Sequence, residues 1–152
     1  MAAPAWAPTL ADVGAIMHSR TIERGTGAQL GTFTTETVPT ALQVTGLIEE
    51  ACAEIVARNG TIYDACSANA KAAAKWLTAM FVEVSHFTNQ VGDDPDAYDR
   101  FKENYERTVE GLGVCLTNNI PDDGDGEGTD AAYNTPVGGF PGLVGTTLTE
   151  EF

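Results

Sequence analysis

One long stretch of helical periodicity, from Asp64 to Phe87, places the strongest limit on how this chain can fold. Apolar residues recur there every three or four positions, which places them on one face of an α-helix. The apolar face consists of Ala73, Trp76, Leu77, Met80, Phe81, Val84 and Phe87. At 1.5 Å per residue, this helix would be about 36 Å long. The run Ala72-Ala73-Ala74 leaves space for a close neighbour, so the pattern predicts a central core helix.

The opposite side of this predicted helix carries Val82 beside Lys71 and Lys75. An apolar side chain among lysines is expected to be either exposed or covered by another subunit. Exposure is the commoner case, because single apolar residues are frequent on protein surfaces.

A second helix is predicted from Thr40 to Asn59. Thr40 is followed three residues later by Gln43, the spacing of a capping box that satisfies free amide groups at a helix start. Asn59-Gly60 provides the left-handed position at which helices commonly end. The predicted buried stripe consists of Val44, Leu47, Ile48, Ala51, Ile55 and Val56.

Two further helices are predicted on either side of this pair. The first follows Thr9 as N-cap and runs for roughly three turns towards Arg20. The fourth starts with Asp94 as N-cap and Pro95 in the first turn. Its inward face consists of Ala97, Phe101, Tyr105, Thr108, Leu112 and Leu116.

The fold class predicted from these patterns is all-α, a small four-helix bundle with an extended, largely irregular C-terminal arm. Between the first two helices, residues 24–39 are rich in Gly and Thr and predict a mobile loop. The predicted bundle core consists of Val44, Leu47, Ile48, Ile55, Trp76, Leu77, Met80, Phe81, Val84, Phe101, Tyr105 and Leu112.

The C-terminal part, residues 117–152, has a different composition from the predicted helices. Its first half is acidic and rich in glycine, and Pro121, Pro136 and Pro141 interrupt any strand ladder. This stretch predicts a solvated, self-repelling linker. The apolar residues that follow have no core of their own, so they predict an arm that docks on another surface, for example as an added strand. The arm residues are Val137, Phe140, Pro141, Leu143, Val144 and Leu148.

The chain is therefore expected to contain an N-terminal extension at 1–8, a helical domain at 9–116, and the linker and docking arm at 117–152. The N-terminus has no basic segment before an apolar run, and no window reaches the ~18 apolar residues of a membrane span. We expect a soluble protein, made in the cytoplasm, with no membrane partner.

The net charge of −14 argues against an ordinary nucleic-acid binder. Tight binding to phosphates requires clustered Lys or Arg residues that release counterions. Residues 108–152 hold eight acidic and no basic residues, so this part carries over half of the net charge.

The three cysteines, Cys52, Cys66 and Cys115, show no spacing typical of a metal site. Each lies in a helical pattern, and we expect each to behave as a small buried apolar group.

Catalytic signals are weak, and no cofactor is predicted. Glu83 and His86 have the E-x-x-H spacing of dimetal helical bundles, but the chain has no second copy of this motif. Asp123, Asp125, Glu127 and Gly128 imitate the start of a calcium loop, but Asn134 stands where the bidentate Glu is required. We expect no enzyme, and we keep a small helical cation-binding protein or enzyme as the alternative.

Four segments carry a resemblance to a known family. "TLADVGAIMHSRT", "FTTETVPTALQVTGLIEEACAEI", "AKAAAKWLTAMFVEVSHF" and "YDRFKENYERTVEGLG" resemble the head-to-tail adaptor, or head-tail connector, of long-tailed bacteriophages. The resemblance covers roughly residues 9–116, and its most particular element is the Thr-x-Pro-Thr sequence after a Gly/Thr-rich loop.

The resemblance implies a structural virion protein of the phage neck. Adaptors of this kind are small helical bundles that form a homo-oligomeric ring, typically a dodecamer, between the portal protein and the stopper. Genome DNA passes through the lumen without specific binding. The chain would be made in the host bacterial cytoplasm, and its arm would dock on portal or on a neighbouring subunit. Another neck or tail-completion protein is the second structural alternative.

Overall fold

The structure, a computed structural model, describes residues 3–87 and 95–120. This part of the chain is mostly helical, with four α-helices and one short antiparallel strand pair. The helices are α1 (Leu10–Ile16), α2 (Ala41–Asn59), α3 (Ser67–His86) and α4 (Pro95–Asn118). The strands are β1 (Ile22–Glu23) and β2 (Thr37–Val38). The six predicted docking-arm residues and the acidic run lie outside the described residues.

Helix α1 begins at the predicted N-cap but is shorter than predicted. Thr9 Oγ1 accepts a hydrogen bond from the Asp12 amide, and Asp12 Oδ2 accepts one from the Thr9 amide. Lys71 Nζ of α3 lies 2.9 Å from the same carboxylate oxygen. The hydrogen bond from the Thr9 backbone, followed by that from Lys71, lowers the pKa of Asp12 to about 2. The capping box therefore also ties α1 to α3.

The predicted three turns of α1 are wrong, because the α-helix ends at Ile16 after seven residues. A 3₁₀ helix, His18–Arg20, replaces the third turn. Thr21 Oγ1 donates a hydrogen bond to the His18 carbonyl and accepts one from the Gly31 amide. These bonds turn the chain into β1 instead of allowing the helix to continue.

The Gly/Thr-rich segment contains β2 and is directly preceded by β1, and neither strand was predicted. β1 and β2 are antiparallel, with Ile22 opposite Val38 and Glu23 opposite Thr37. The Leu30 amide also donates to the Thr21 carbonyl, and Phe33 is buried in the core. Two-residue strands produce no alternation long enough to be detected in a sequence.

Gly14 of α1 lies where the backbone of this segment comes closest to the helix. A Cβ atom at this position would lie 2.5 Å from the Gly31 carbonyl oxygen and 2.8 Å from the Thr32 Cα atom. Both neighbours are backbone atoms, so neither can move without displacing the whole segment. A residue with a side chain therefore cannot fit without a shift of the main chain.

We expect Gly14→Ala to lower the free energy of unfolding by about 1–3 kcal/mol, the usual penalty of overpacking. Gly46→Ala is the matched control, since Gly46 lies within α2 and a Cβ atom there would have no neighbour within 4 Å. That control should raise the free energy of unfolding by about 0.5–1 kcal/mol through helix propensity. Urea denaturation of both variants measures the two free energies of unfolding. If both variants were more stable than the unmodified chain, the close backbone approach at Gly14 would be contradicted.

The Thr-x-Pro-Thr sequence forms the turn into α2. Thr37 is fully buried, and its Oγ1 donates to the Pro39 carbonyl oxygen at 2.7 Å. Thr40 and Gln43 form the predicted capping box. Gly60 follows the last helical residue with a positive φ of 74°, as predicted for the helix end. Both predicted ends of α2 are confirmed.

Helix α3 lies in the middle of the described helices and packs against α1, α2 and α4. A 3₁₀ helix, Asp64–Cys66, forms the first turn of the stretch predicted to be helical, so the α-helix begins at Ser67. The Trp76 and Phe101 rings meet between α3 and α4, with their centroids 6.1 Å apart. The predicted role of α3 as the central core helix agrees with these contacts.

Most of the predicted core residues are buried or partly buried, and one is not. Val84 is 54% exposed in the last turn of α3, so its assignment to the core is wrong. At this end of the helix the buried side has moved to Glu83 and Phe87, which face the 3₁₀ helix at His18–Arg20. The confirmed or partly buried members are Val44, Leu47, Ile48, Ile55, Trp76, Leu77, Met80, Phe81, Phe101, Tyr105 and Leu112.

The expected exposure of Val82 is also wrong, because its side chain is fully buried. Lys71 lies on the same face of α3 and binds Asp12 of α1. The chain itself therefore covers this face with its N-terminal region, and no second subunit is required.

Two of the three cysteines are not the isolated apolar groups that were expected. Cys66 and Cys115 form a disulfide that joins the turn before α3 to the last part of α4. Cys52 is free and buried, as expected. The pairing brings together residues 49 positions apart, so no local sequence pattern could indicate it.

Candidate interaction surface

An apolar groove lies along the edge of the buried face of α2. Its other wall is the N-terminal segment at Ala3 and Pro4, and its volume is about 350 Å³. The lining residues from α2 are Glu49, Cys52, Ala53, Val56 and Ala57. Apart from Glu49, every residue around this groove is apolar.

The groove exists because α2 is amphipathic only in part. Its buried face consists of Val44, Ile48, Ala51, Cys52 and Ile55. Leu42 and Val56, which lie outside that face, are nevertheless apolar and are 83% and 43% exposed. Val56 was predicted to be buried, and this prediction is wrong. A groove with exposed apolar side chains is typical of a surface that contacts another protein.

Cys52 forms part of the groove wall but is not a nucleophile. Burial, followed by the nearby negative charge of Glu49, raises the pKa of its thiol to about 11. The thiol is therefore protonated at neutral pH, and only a thiolate is reactive. The groove can accept apolar side chains, but it provides no group for covalent chemistry.

Glu83, which the sequence offered with His86 as a possible metal ligand, forms an ion pair with Arg20. Arg20 Nε donates to Glu83 Oε1 at 2.8 Å, and Arg20 Nη2 donates to Oε2 at 3.3 Å. The Glu83 side chain is only 2% exposed and that of Arg20 is 15% exposed. The guanidinium carbon also lies 4.8 Å from the centre of the Phe87 ring. The two oxygens of Glu83 are therefore held by an arginine within the core.

Sequence reasoning missed this buried ion pair. Arg20 and Glu83 are 63 residues apart and lie in different elements. A charged residue on an otherwise buried helix face is the only signal for such a pair, because a buried charge is normally paired.

Within residues 3–87 and 95–120, no group of three or more His, Cys, Asp or Glu residues could hold a metal ion. None of the helices in these ranges is long and apolar enough to cross a membrane. The chain was also compared with protein-family models, with curated proteins and with solved structures, and no match was found in any of the three.

Proposed function

We propose that this chain is a structural protein of a bacteriophage neck, an adaptor that forms a ring between portal and stopper and extends the DNA channel. In this proposal the four helices form a small bundle, and the arm from Val137 to Leu148 docks on portal or on a neighbouring subunit. The protein would be located in the virion and would have no catalytic role.

The observation that carries this proposal is the apolar groove on α2. A ring subunit must present apolar surface that only its neighbours cover, and the described residues present such surface at Leu42 and in the groove that Val56 and Pro4 line. The segments that resemble adaptors also correspond to α1, α2, α3 and α4. The Thr-x-Pro-Thr sequence has a defined structural task, because it buries Thr37 and caps α2 with Thr40.

The charge of the chain supports the same role. A channel for DNA has to avoid holding the phosphates, and carboxylates near the lumen repel the duplex over about 8 Å in physiological salt. The net charge of −14 suits a ring through which DNA passes without binding.

The proposal is tested by mixing the purified chain with cognate portal rings, followed by pull-down and negative-stain imaging. We expect a ring seated on portal. A chain that remains monomeric and ignores portal would overturn the adaptor function.

Variants separate the two contacts in this proposal. Deletion of residues 136–152 should leave the helices folded, as measured by circular dichroism, and should abolish binding to portal.

Val56→Asp should prevent ring formation because it places a charge at the groove. Val114→Asp is the matched control, since Val114 is a similarly exposed valine, at 59%, on α4. Equal effects of the two Asp variants would exclude the groove as a subunit contact.

A further inference from the structure

The disulfide between Cys66 and Cys115 joins the turn before α3 to the part of α4 after Leu112, in which no residue is fully buried. Leu112 is fully buried, but Val114 and Ile120 are 59% and 67% exposed. Asn69 Nδ2 donates to the Gly111 carbonyl at 3.1 Å, one turn before the disulfide. Beyond this bond, Leu116 is partly buried against the core, and the disulfide supplies the covalent connection.

The sequence of this part of α4 also favours fraying. Gly111 and Gly113 lie inside the helix, and each lowers helix stability by about 1 kcal/mol relative to Ala. The terminal turns of a helix have the lowest barrier to local opening when few buried contacts hold them. The order of residues 113–120 should therefore depend strongly on the covalent bond.

We propose that Cys66 and Cys115 form a redox-controlled staple, opened by low-molecular-weight thiols such as glutathione, that determines whether the end of α4 is ordered. This inference goes beyond the proposed function and does not depend on it. It assigns the pair as a modification site for thiol–disulfide exchange.

The two sulfur atoms differ in their access to such a thiol. Cys66 is fully buried, whereas Cys115 is partly exposed on α4. A glutathione thiolate therefore attacks Cys115 Sγ. A bond forms between the glutathione sulfur and Cys115 Sγ, the Cys66–Cys115 bond breaks, and its electron pair remains on Cys66 Sγ, which takes a proton from water.

A second glutathione completes the reduction. Its thiolate attacks the glutathione sulfur of the mixed disulfide, which releases Cys115 as a thiolate that is then protonated. Two glutathione molecules are oxidised to glutathione disulfide, and one protein disulfide is reduced to two thiols. The reverse reaction with glutathione disulfide closes the staple.

The Asn119 side chain lies beside both sulfur atoms. Its Nδ2 atom is 3.8 Å from Cys66 Sγ and 3.6 Å from Cys115 Sγ, and it also donates to the Cys115 carbonyl at 2.8 Å. These contacts exist only while residue 119 continues the helical path. Opening the disulfide separates the two sulfur atoms and removes the Asn119 contact with Cys66 Sγ, which connects the end of α4 to the turn before α3.

The experiment is hydrogen exchange of the full chain, measured by mass spectrometry with and without glutathione. Thiol counting after denaturation should give one free thiol, Cys52, before reduction and three afterwards. On reduction, amide exchange in residues 113–120 should become faster by about tenfold or more. At the short exchange times used, amides in the middle of α2 should stay protected in both conditions, because they open only with the whole domain.

Two variants keep the test decisive. Cys115→Ala should exchange quickly at 113–120 in both conditions, without any response to glutathione. Cys52→Ala is the control, and its response should equal that of the unmodified chain. The proposal is overturned if reduction yields three thiols while exchange at 113–120 stays unchanged. It is equally overturned if the pair stays reduced in excess glutathione disulfide.

Discussion

Replacement of Arg20 by methionine is expected to lower the free energy of unfolding by about 3–5 kcal/mol. The variant removes the partner of Glu83, whose side chain is only 2% exposed. Without Arg20, the buried carboxylate of Glu83 loses the Coulomb attraction and two charge-assisted hydrogen bonds. The free-energy cost of removing this charge from water is then no longer compensated. The lost contact of the guanidinium with the Phe87 ring adds to the effect.

Urea denaturation monitored by circular dichroism measures this change. The double variant Arg20→Met, Glu83→Leu should recover much of the loss, because an apolar pair of similar volume can replace a buried ion pair. Arg58→Met is the matched control. Arg58 pairs with Glu54 on the surface of α2, with side chains 59% and 40% exposed. Such a pair contributes about 0.5 kcal/mol or less. An Arg20 variant as mild as the Arg58 variant would contradict the buried ion pair.

The second large effect is expected from the disulfide. The variant Cys66→Ala, Cys115→Ala should have a free energy of unfolding about 4 kcal/mol lower than that of the oxidised chain. A cross-link between residues 49 positions apart restricts the unfolded chain and lowers its conformational entropy. The loop-closure model converts this loss of entropy into about 4 kcal/mol of stability at 25 °C. The loss of the buried Cys66 sulfur atom from the core acts in the same direction.

Denaturation curves with and without reductant test this prediction. Reductant should destabilise the unmodified chain by a similar amount and should leave the double variant unchanged. The slope of the curve should also increase on reduction, since an unfolded chain without the cross-link exposes more surface. An unchanged midpoint after complete reduction would show that the cross-link does not stabilise the fold.

Local signals predicted the helices well. The capping box at Thr40 and Gln43, the end at Gly60 and the start of α4 at Pro95 all depend on residues within one turn of the helix end. Such signals act through the chain's own backbone, so they operate before any tertiary contact forms.

The packing faces at helix ends were predicted less well. A periodic stripe indicates which residues share a side of a helix, but it does not tell where the covering element stops. Val84 belongs to the apolar stripe of α3 and is half exposed, while Val82 lies beside lysines and is fully buried. The N-terminal region packs on this side of α3 through the Asp12–Lys71 and Arg20–Glu83 pairs, and a local pattern does not indicate such contacts.

The sequence indicated one candidate surface, the C-terminal arm, but not the groove on α2. The predicted arm residues lie outside the described residues, so the prediction that they dock stays a prediction. The groove on α2 was missed, because its second wall is the segment at Ala3 and Pro4, far away along the chain. Sequence patterns assigned Val56 to the core since its spacing fits the stripe.

By itself, the sequence determined that the described chain is mostly helical, where α2 begins and ends, and how acidic it is. These properties follow from backbone capping, from apolar periodicity and from composition, which all operate within a few residues. Tertiary structure alone decided the Arg20–Glu83 pair, the Cys66–Cys115 disulfide, the close approach at Gly14 and the groove beside α2. Each of these joins residues that are distant in the chain, and their meeting depends on how the helices pack.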